Sequence, residues 1–463
     1  MADSSVTLEM AVTRLVLGLS AEHLDAASRA TARSLIKDQL AIQVGAARLP
    51  WSRQVRAARA LRPGQSTIVG ERGRFAAADA TYINATYGHG FEYDDFAGNA
   101  HPGCCVVPAA LAIGEEVGAT LEQMLVAMAA GYEAYVRIGR LGSPELLNAG
   151  WQPHAVLANF GAAATAARLY GLDEAQTFNA LAIALSHASG PTEYASTGGS
   201  IKRAHAGIAA RNGIESAELA RAGVTGPRRF LTGRRGLYAT FIRKSVTDAA
   251  HGDFALDAPM TLPNASFKAY CSCACTHPFI EAGLALRARA NDIESIDVKL
   301  QTMVDAIVGT RNEHIYGPRN IEELQYSLPA QMALAATGRG NGYRTHLDFL
   351  EGRLQLPPDS DVMRLARKMK LSIDTSLDER YPMRFVADVT AHYRDGTSQR
   401  VFIDKVPGRN DAPYTPEQHG AKLNELLHDV IGPHQSAALL EMIETLDPRK
   451  PVTALTALLQ PAS

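Results

Sequence analysis

The sequence predicts a mostly α protein: a large all-helical domain, discontinuous along the chain, into which a smaller α+β domain is inserted. Three observations lead there. Apolar residues recur at spacings of three and four through most of the first 260 positions and again after Thr415. Period-two alternation is confined to the stretch between. At 463 residues the chain is also too long for one ordinary core. We therefore expect residues 1–262 and 413–463 to build the helical domain and residues 263–412 the α+β domain.

Taken in order, helical spacing runs from Val6 to about Ala46, and Ser20 before Ala-Glu-His predicts an N-cap that opens a second helix. Thr120 caps TLEQMLVAMAAGYEAYVRIGR, HAVLANFGAAATAARLYG follows, and Asp173 caps EAQTFNALAIALSHASG. KRAHAGIAARNGIESAELARAG is the next helix. Ala and Gly are abundant on the apolar faces of these segments. Small side chains let helix axes approach closely, which offsets the helix stability that internal Gly costs.

The pattern changes after about Pro263. IESIDVKLQTMV alternates at Ile296, Val298 and Leu300 and predicts a strand. MRFVADVTAHYRDGTSQRVFID alternates from Phe385 to Tyr393, turns at Asp395-Gly396 and returns through Val401 and Ile403, which predicts a hairpin. SLPAQMALAATG and SDVMRLARKM read as short helices between them. Thr415-Pro416-Glu417 then supplies an N-cap, an N1 proline and a first-turn acid for a returning helix.

Composition removes several classes of function. A formal charge of −2 without a basic run gives no reason to expect nucleic acid or a membrane surface as partner. The N-terminus lacks a basic, continuously apolar leader, and no apolar run reaches the length of a membrane span, so the expected location is cytoplasmic. GxxxxGK[ST] and GxGxxG are both missing from strand-to-helix contexts, so no nucleotide cofactor is expected. Five cysteines, as Cys104-Cys105 and Cys271-x-Cys273-x-Cys275, make neither a secreted disulfide framework nor the C-x2-C spacing of structural zinc, and no metal is expected.

Candidate chemistry concentrates in Gly88 to Pro108, GHGFEYDDFAGNAHPGCCVVP. Glu92, Asp94, Asp95, His89 and His101 stand there among Gly, Ala and Pro, where the backbone is irregular and side chains stay reachable. Further along, Lys202, Arg203 and His205 follow the Gly-rich STGGS at a helix start, where the dipole favours anions. Lys268 and His277 stand in SFKAYCSCACTHP. Each residue taken alone reads as an ordinary surface or capping side chain. Together they describe a pocket that holds carboxylates and moves protons.

These stretches, with GWQPHAVLANFGAAATAARLYGL, TGRRGLYATF, QYSLPAQMALA and DERYPMRFVADVTAHYRDG, occur in an order that resembles the MmgE/PrpD family across nearly the whole chain. That family includes 2-methylcitrate dehydratase, cis-aconitate decarboxylase and iminodisuccinate epimerase. The resemblance implies a helical domain closed by an α+β lid, a homodimer, no organic cofactor or metal, and a small polycarboxylate substrate bound between the domains. It implies a lyase of dehydratase or decarboxylase type, with an epimerase or isomerase as the alternative and a non-catalytic binding member as the second. His101 matches the family's loop histidine, with Glu92, Asp94 and Asp95 assisting. Lys268 and His277 complete the implied catalytic set, and Lys202, Arg203, His205, Gln152 and His154 the substrate-binding set. The chain departs from the pattern at Glu92, where an Asp is usual, at Phe96 and Ala97, at Gln152 in place of a histidine, and at Ala330 in place of a tyrosine.

Overall fold

The computed structural model describes residues 6–97, 100–197 and 199–460. Gly98, Asn99 and Gly198, which belong to two of the stretches singled out above, lie outside them. The helical part contains α1 (Leu8–Gly18), α2 (Ala26–Ala46), α3 (Ala77–Gly88), α4 (Gly103–Val117), α5 (Leu121–Gly142), α6 (Pro153–Leu169), α7 (Glu174–His187) and α8 (Ile201–Arg221). In the α+β part, α9 (His277–Leu286) and α10 (Leu328–Ala336) pack on each other. The last long helix, α11 (Pro416–Thr445), returns to pack on α2. Among the described residues, no helix is long and apolar enough to cross a membrane.

The predicted caps form at three starts. Thr120, Asp173 and Thr415 each accept from the third helical N–H, and the Gln at that position closes a capping box. Ser20 behaves differently: it opens only a one-turn 3-10 helix, Ala21–His23, and Asp25 caps α2 by accepting from Ser28 N–H at 2.7 Å. A carboxylate five residues on wins because the chain must first turn at Leu24, whose backbone is extended.

Close packing through small residues is realised where α5, α6 and α8 cross. A Cβ on Gly131 of α5 would collide with Thr165 Oγ1 and lie 2.6 Å from the Gly161 carbonyl of α6, and one on Gly213 of α8 would lie 2.5 Å from the Asn159 carbonyl of α6. Any larger residue at either position would force the axes apart.

The sheet has four strands, β1 (Ile293–Leu300), β2 (Met369–Ile373), β3 (Ala387–Tyr393) and β4 (Ser398–Ile403), in the order β2-β1-β3-β4. β1 and β2 are parallel, joined by a helical crossover, and the other pairs are antiparallel. The alternating residues Ile296, Val298 and Leu300 are all fully buried, as period two requires. Two expectations shift. SDVMRLARKM is helical only over Asp361–Ala366, because Met369 already belongs to β2, paired with Ile296. Phe385 precedes β3 rather than starting it.

Four contacts set the site. Phe96 and Ser266 exchange backbone hydrogen bonds of 2.7 and 3.0 Å, which docks the acidic loop against the strand of chain leading to Lys268. Lys422 of α11 pairs with the buried Asp38 of α2 at 2.7 Å and donates to the Tyr93 and Lys268 carbonyls at 2.8 and 3.1 Å. The returning helix thereby holds both halves of the site in one frame.

Candidate active site

Glu92 is the junction. It is a non-glycine residue in the left-handed region, φ +58°, which costs about 1–2 kcal/mol and persists only when its surroundings hold it. They do. Lys268 Nζ donates to Oε2 at 2.8 Å, Lys202 Nζ pairs with Oε1, and the Tyr326 hydroxyl lies 3.3 Å from Oε1. Lys202 comes from the first turn of α8. Lys268 reaches on to Asp94 Oδ1 at 3.8 Å, and all four charges are nearly inaccessible to water. Removing one partner from such a buried cluster costs about 3–5 kcal/mol, because the charge left behind has no solvent to turn to.

Asp94 carries the cluster to the imidazoles. Its Oδ2 lies 2.7 Å from His89 Nδ1 and 3.3 Å from His101 Nδ1. Burial works to raise the Asp94 pKa, but His101, His89 and Lys268 outweigh it and hold the carboxyl well below its usual range. His101 Nδ1 also lies 2.9 Å from the Asp95 carbonyl oxygen. A carbonyl only accepts, so Nδ1 carries the proton and Nε2 keeps a free lone pair. Burial keeps His101 neutral by lowering its pKa, against the pull of Asp94.

Gln152 and His205 extend the network. His205 Nδ1 donates to Gln152 Oε1, Gln152 Nε2 donates to His89 Nε2 at 3.3 Å, and His89 Nδ1 donates to Asp94. This pattern needs His89 neutral, because its Nε2 accepts while its Nδ1 donates. Burial lowers His89 to about 3 and, with help from Lys202, His205 to about 4. His154 lies beneath His101 with both ring nitrogens engaged, Nδ1 by the Tyr135 hydroxyl at 2.9 Å and Nε2 with Cys104 Sγ at 3.4 Å.

His89, Asp94 and His101 offer ligand atoms within 4.8 Å of one another, the spacing of a metal triad. Both Nδ1 positions also lie at hydrogen-bond distance from oxygen acceptors, Asp94 Oδ2 for His89 and the Asp95 carbonyl for His101.

Three predicted residues stand apart from the junction. Asp95 turns away from the lysines and accepts from Gly103 N–H at the start of α4 and from Gln39 Nε2, both at 3.0 Å. Burial and the neighbouring Asp94 push it up to about 8. Arg203 stacks on Trp51 at 3.9 Å, pairs with Glu322 at 3.1 Å and donates to the Gly90 carbonyl, so it holds the backbone that presents Glu92. His277 is buried against Tyr270 with Nε2 3.4 Å from the Ser272 carbonyl, and makes none of the bonds that join the others.

A cavity of about 470 Å³ opens beside Glu92, Lys202 and Tyr326, between the chain at Tyr194–Lys202 and that at Asn312–Tyr326. Its size suits one small ligand. Sequence reasoning missed Tyr326 and Tyr194 on its walls and the linking role of His89. Tyr326 lies in the stretch QYSLPAQMALA without being singled out there; its 3.3 Å contact with Glu92, more than two hundred residues away, and Lys202 over its ring mark it. The cysteine cluster is also near: a hydrogen bond from Cys275, assisted by Lys268, lowers Cys273 to about 6 against burial.

Residues 11–249 match the MmgE/PrpD N-terminal domain and residues 270–448 the MmgE/PrpD C-terminal domain. The chain belongs to the MmgE/PrpD family. Among curated relatives, the cis-aconitate decarboxylase of Aspergillus terreus strain NIH 2624 is 27% identical over 454 residues, spanning 92% of this chain and 91% of that protein. The cis-aconitate decarboxylase-like protein oryM of Aspergillus oryzae is 30% identical over 45% of this chain and 46% of its own length. Human cis-aconitate decarboxylase is 29% identical over 45% of this chain and 44% of its own. The two-domain architecture and mostly α composition are those of the family the residues resembled.

Proposed function

We propose that this chain is a cofactor-independent lyase that acts on a small di- or tricarboxylate by proton transfer beside a carboxylate, with loss of carbon dioxide as the first reading and loss of water as the second. The observation that carries the proposal is the buried line of charge Lys202–Glu92–Lys268–Asp94–His101, which ends in an open cavity at Lys202. Similarity to cis-aconitate decarboxylases over nine-tenths of the chain supports the choice of carbon dioxide.

In this reading, Lys202 binds a substrate carboxylate through the ammonium hydrogens that Glu92 does not use, a charge-assisted contact in a site shielded from water. As the scissile bond breaks, negative charge develops on the substrate, and the fixed Lys202 and Lys268 ammoniums favour that charge without having to reorganise. Two groups of opposite readiness then serve the proton. Tyr326 is kept protonated by burial and faces the cavity, so it is the donor that decarboxylation needs. His101 stands at the other end of the charge line and does not line this cavity; its free Nε2 lone pair makes it the candidate base for dehydration of a substrate that reaches past Glu92. A homodimer completes the proposal, on the family resemblance alone.

A thermal-shift screen of citrate-, aconitate-, tartrate- and aspartate-like acids finds the ligand, since a molecule that prefers the native state raises its midpoint. With the hit as substrate, Tyr326→Phe and His101→Gln are each expected to lower kcat, the group that the reaction uses by about 10²–10⁴-fold. Unchanged turnover in both variants would mean the site is assigned to the wrong residues.

A further inference from the structure

Resting on the function proposed above, we propose that Glu92 is a built-in carboxylate that fills the two-lysine subsite, so this chain selects a dicarboxylate over a tricarboxylate. Lys202 and Lys268 converge on one carboxylate group, with the Tyr326 hydroxyl on the same oxygen as Lys202. Two ammoniums and a phenol around one carboxylate are the arrangement a polycarboxylate substrate would otherwise complete. Here the protein completes it. A substrate carboxylate entering that position would have to evict Glu92, leaving a buried anion without partners, on a backbone already in the left-handed region.

The cavity's charge balance independently limits the substrate. Its walls carry Glu92, Glu313, Glu322 and Glu323 against Lys202, Arg203 and Arg319. Counting Lys268 behind Glu92 brings the balance only to neutrality. Arg203 is already paired with Glu322 and Arg319 with Glu323. Lys202 lines the open space; burial, Lys268 and Arg203 pull its pKa well down and the Glu92 carboxylate works against them to keep its proton, which provides for one carboxylate held there and leaves each further one facing acids. Glu92 is thus a specificity determinant.

The test uses Glu92→Gly, which suits the positive φ, and Glu92→Gln, which keeps length and removes charge. Formate, succinate and tricarballylate are titrated into the full-length wild type and both variants by calorimetry and thermal shift. Expected results are that succinate binds wild type at least tenfold tighter than tricarballylate, that Glu92→Gly reduces or reverses this ratio by at least tenfold, and that formate stabilises Glu92→Gly and not wild type. Glu92→Gln should bind tricarballylate about threefold tighter than wild type does, and it decides the question if Glu92→Gly does not fold. A di-to-tricarboxylate ratio unchanged within twofold in the folded variants, or no formate effect on Glu92→Gly, overturns the proposal. Failure of every polycarboxylate to bind wild type while formate still rescues Glu92→Gly would instead refute the proposed function and leave the filled subsite standing.

Discussion

Asp94 and Asp95 are neighbours in sequence and face opposite regions of the molecule. On the Asp94 side, lysines from α8 and from the approach to α9 meet two carboxylates and a cavity. On the Asp95 side, a backbone N–H at the start of α4 and the Gln39 amide meet a single carboxyl, with no cation among its hydrogen-bond partners. The first environment drives a carboxyl well below its usual range and the second drives one up to about 8. Paired acids therefore need not share a role: one side of the loop is built to handle charge, and the other anchors the loop to a helix.

The largest test of that contrast is Lys268→Met. It leaves Glu92 and Asp94 without their shared cation and is expected to lower stability by about 3–5 kcal/mol in denaturant unfolding. Asp95→Asn should cost far less, because Asp95 is already protonated in the native state below about pH 8 and has no cation partner to lose. Equal losses would erase the distinction between the two sides. A smaller effect is expected at Gly103, where a Cβ would collide with Asp95 Oδ1, and Gly103→Ala should destabilise by about 1–3 kcal/mol by overpacking the anchor.

The two acids also respond oppositely to pH. Asp95 has a folded pKa above its unfolded value, so between about pH 4 and 8 the native state holds a proton that the unfolded chain has released, and stability falls as pH rises. Asp94 has a depressed folded pKa, so its contribution is present above the unfolded value and is lost on acidification. Unfolding measured from pH 5 to 8 should therefore show a flatter pH dependence in Asp95→Asn than in wild type. The smallest expected effect is on thiol reactivity. Cys273, whose thiol pKa is lowered by Cys275 and Lys268, should be alkylated by iodoacetamide at lower pH than the four other cysteines, whose thiols are buried.

Much of this was legible in the sequence where the cause is local. Caps at Thr120, Asp173 and Thr415 depend on residues three apart, and the β3–β4 hairpin on a short turn, so both could be read directly. The gathering of Glu92, Lys202 and Lys268 was read as a pocket from residue type. Their order of contact was not legible, because it is set by Phe96 pairing with Ser266 and by Lys422 bridging from the far end of the chain. Tyr326 and Tyr194 were not legible for the same reason. A tyrosine's role depends on what faces it, and here that is brought in from a distant segment.

The central claim, proton transfer beside a carboxylate with bond cleavage, is tested most directly by incubating the thermal-shift hit with the protein in deuterated water and following substrate and product by NMR and mass spectrometry. The proposed function predicts a product that has lost carbon dioxide and carries one deuterium at the carbon from which it left, or one that has lost water, with neither formed by folded Tyr326→Phe, His101→Gln double variant. Deuterium appearing in otherwise intact substrate or its epimer, without loss of carbon dioxide or water, would contradict it.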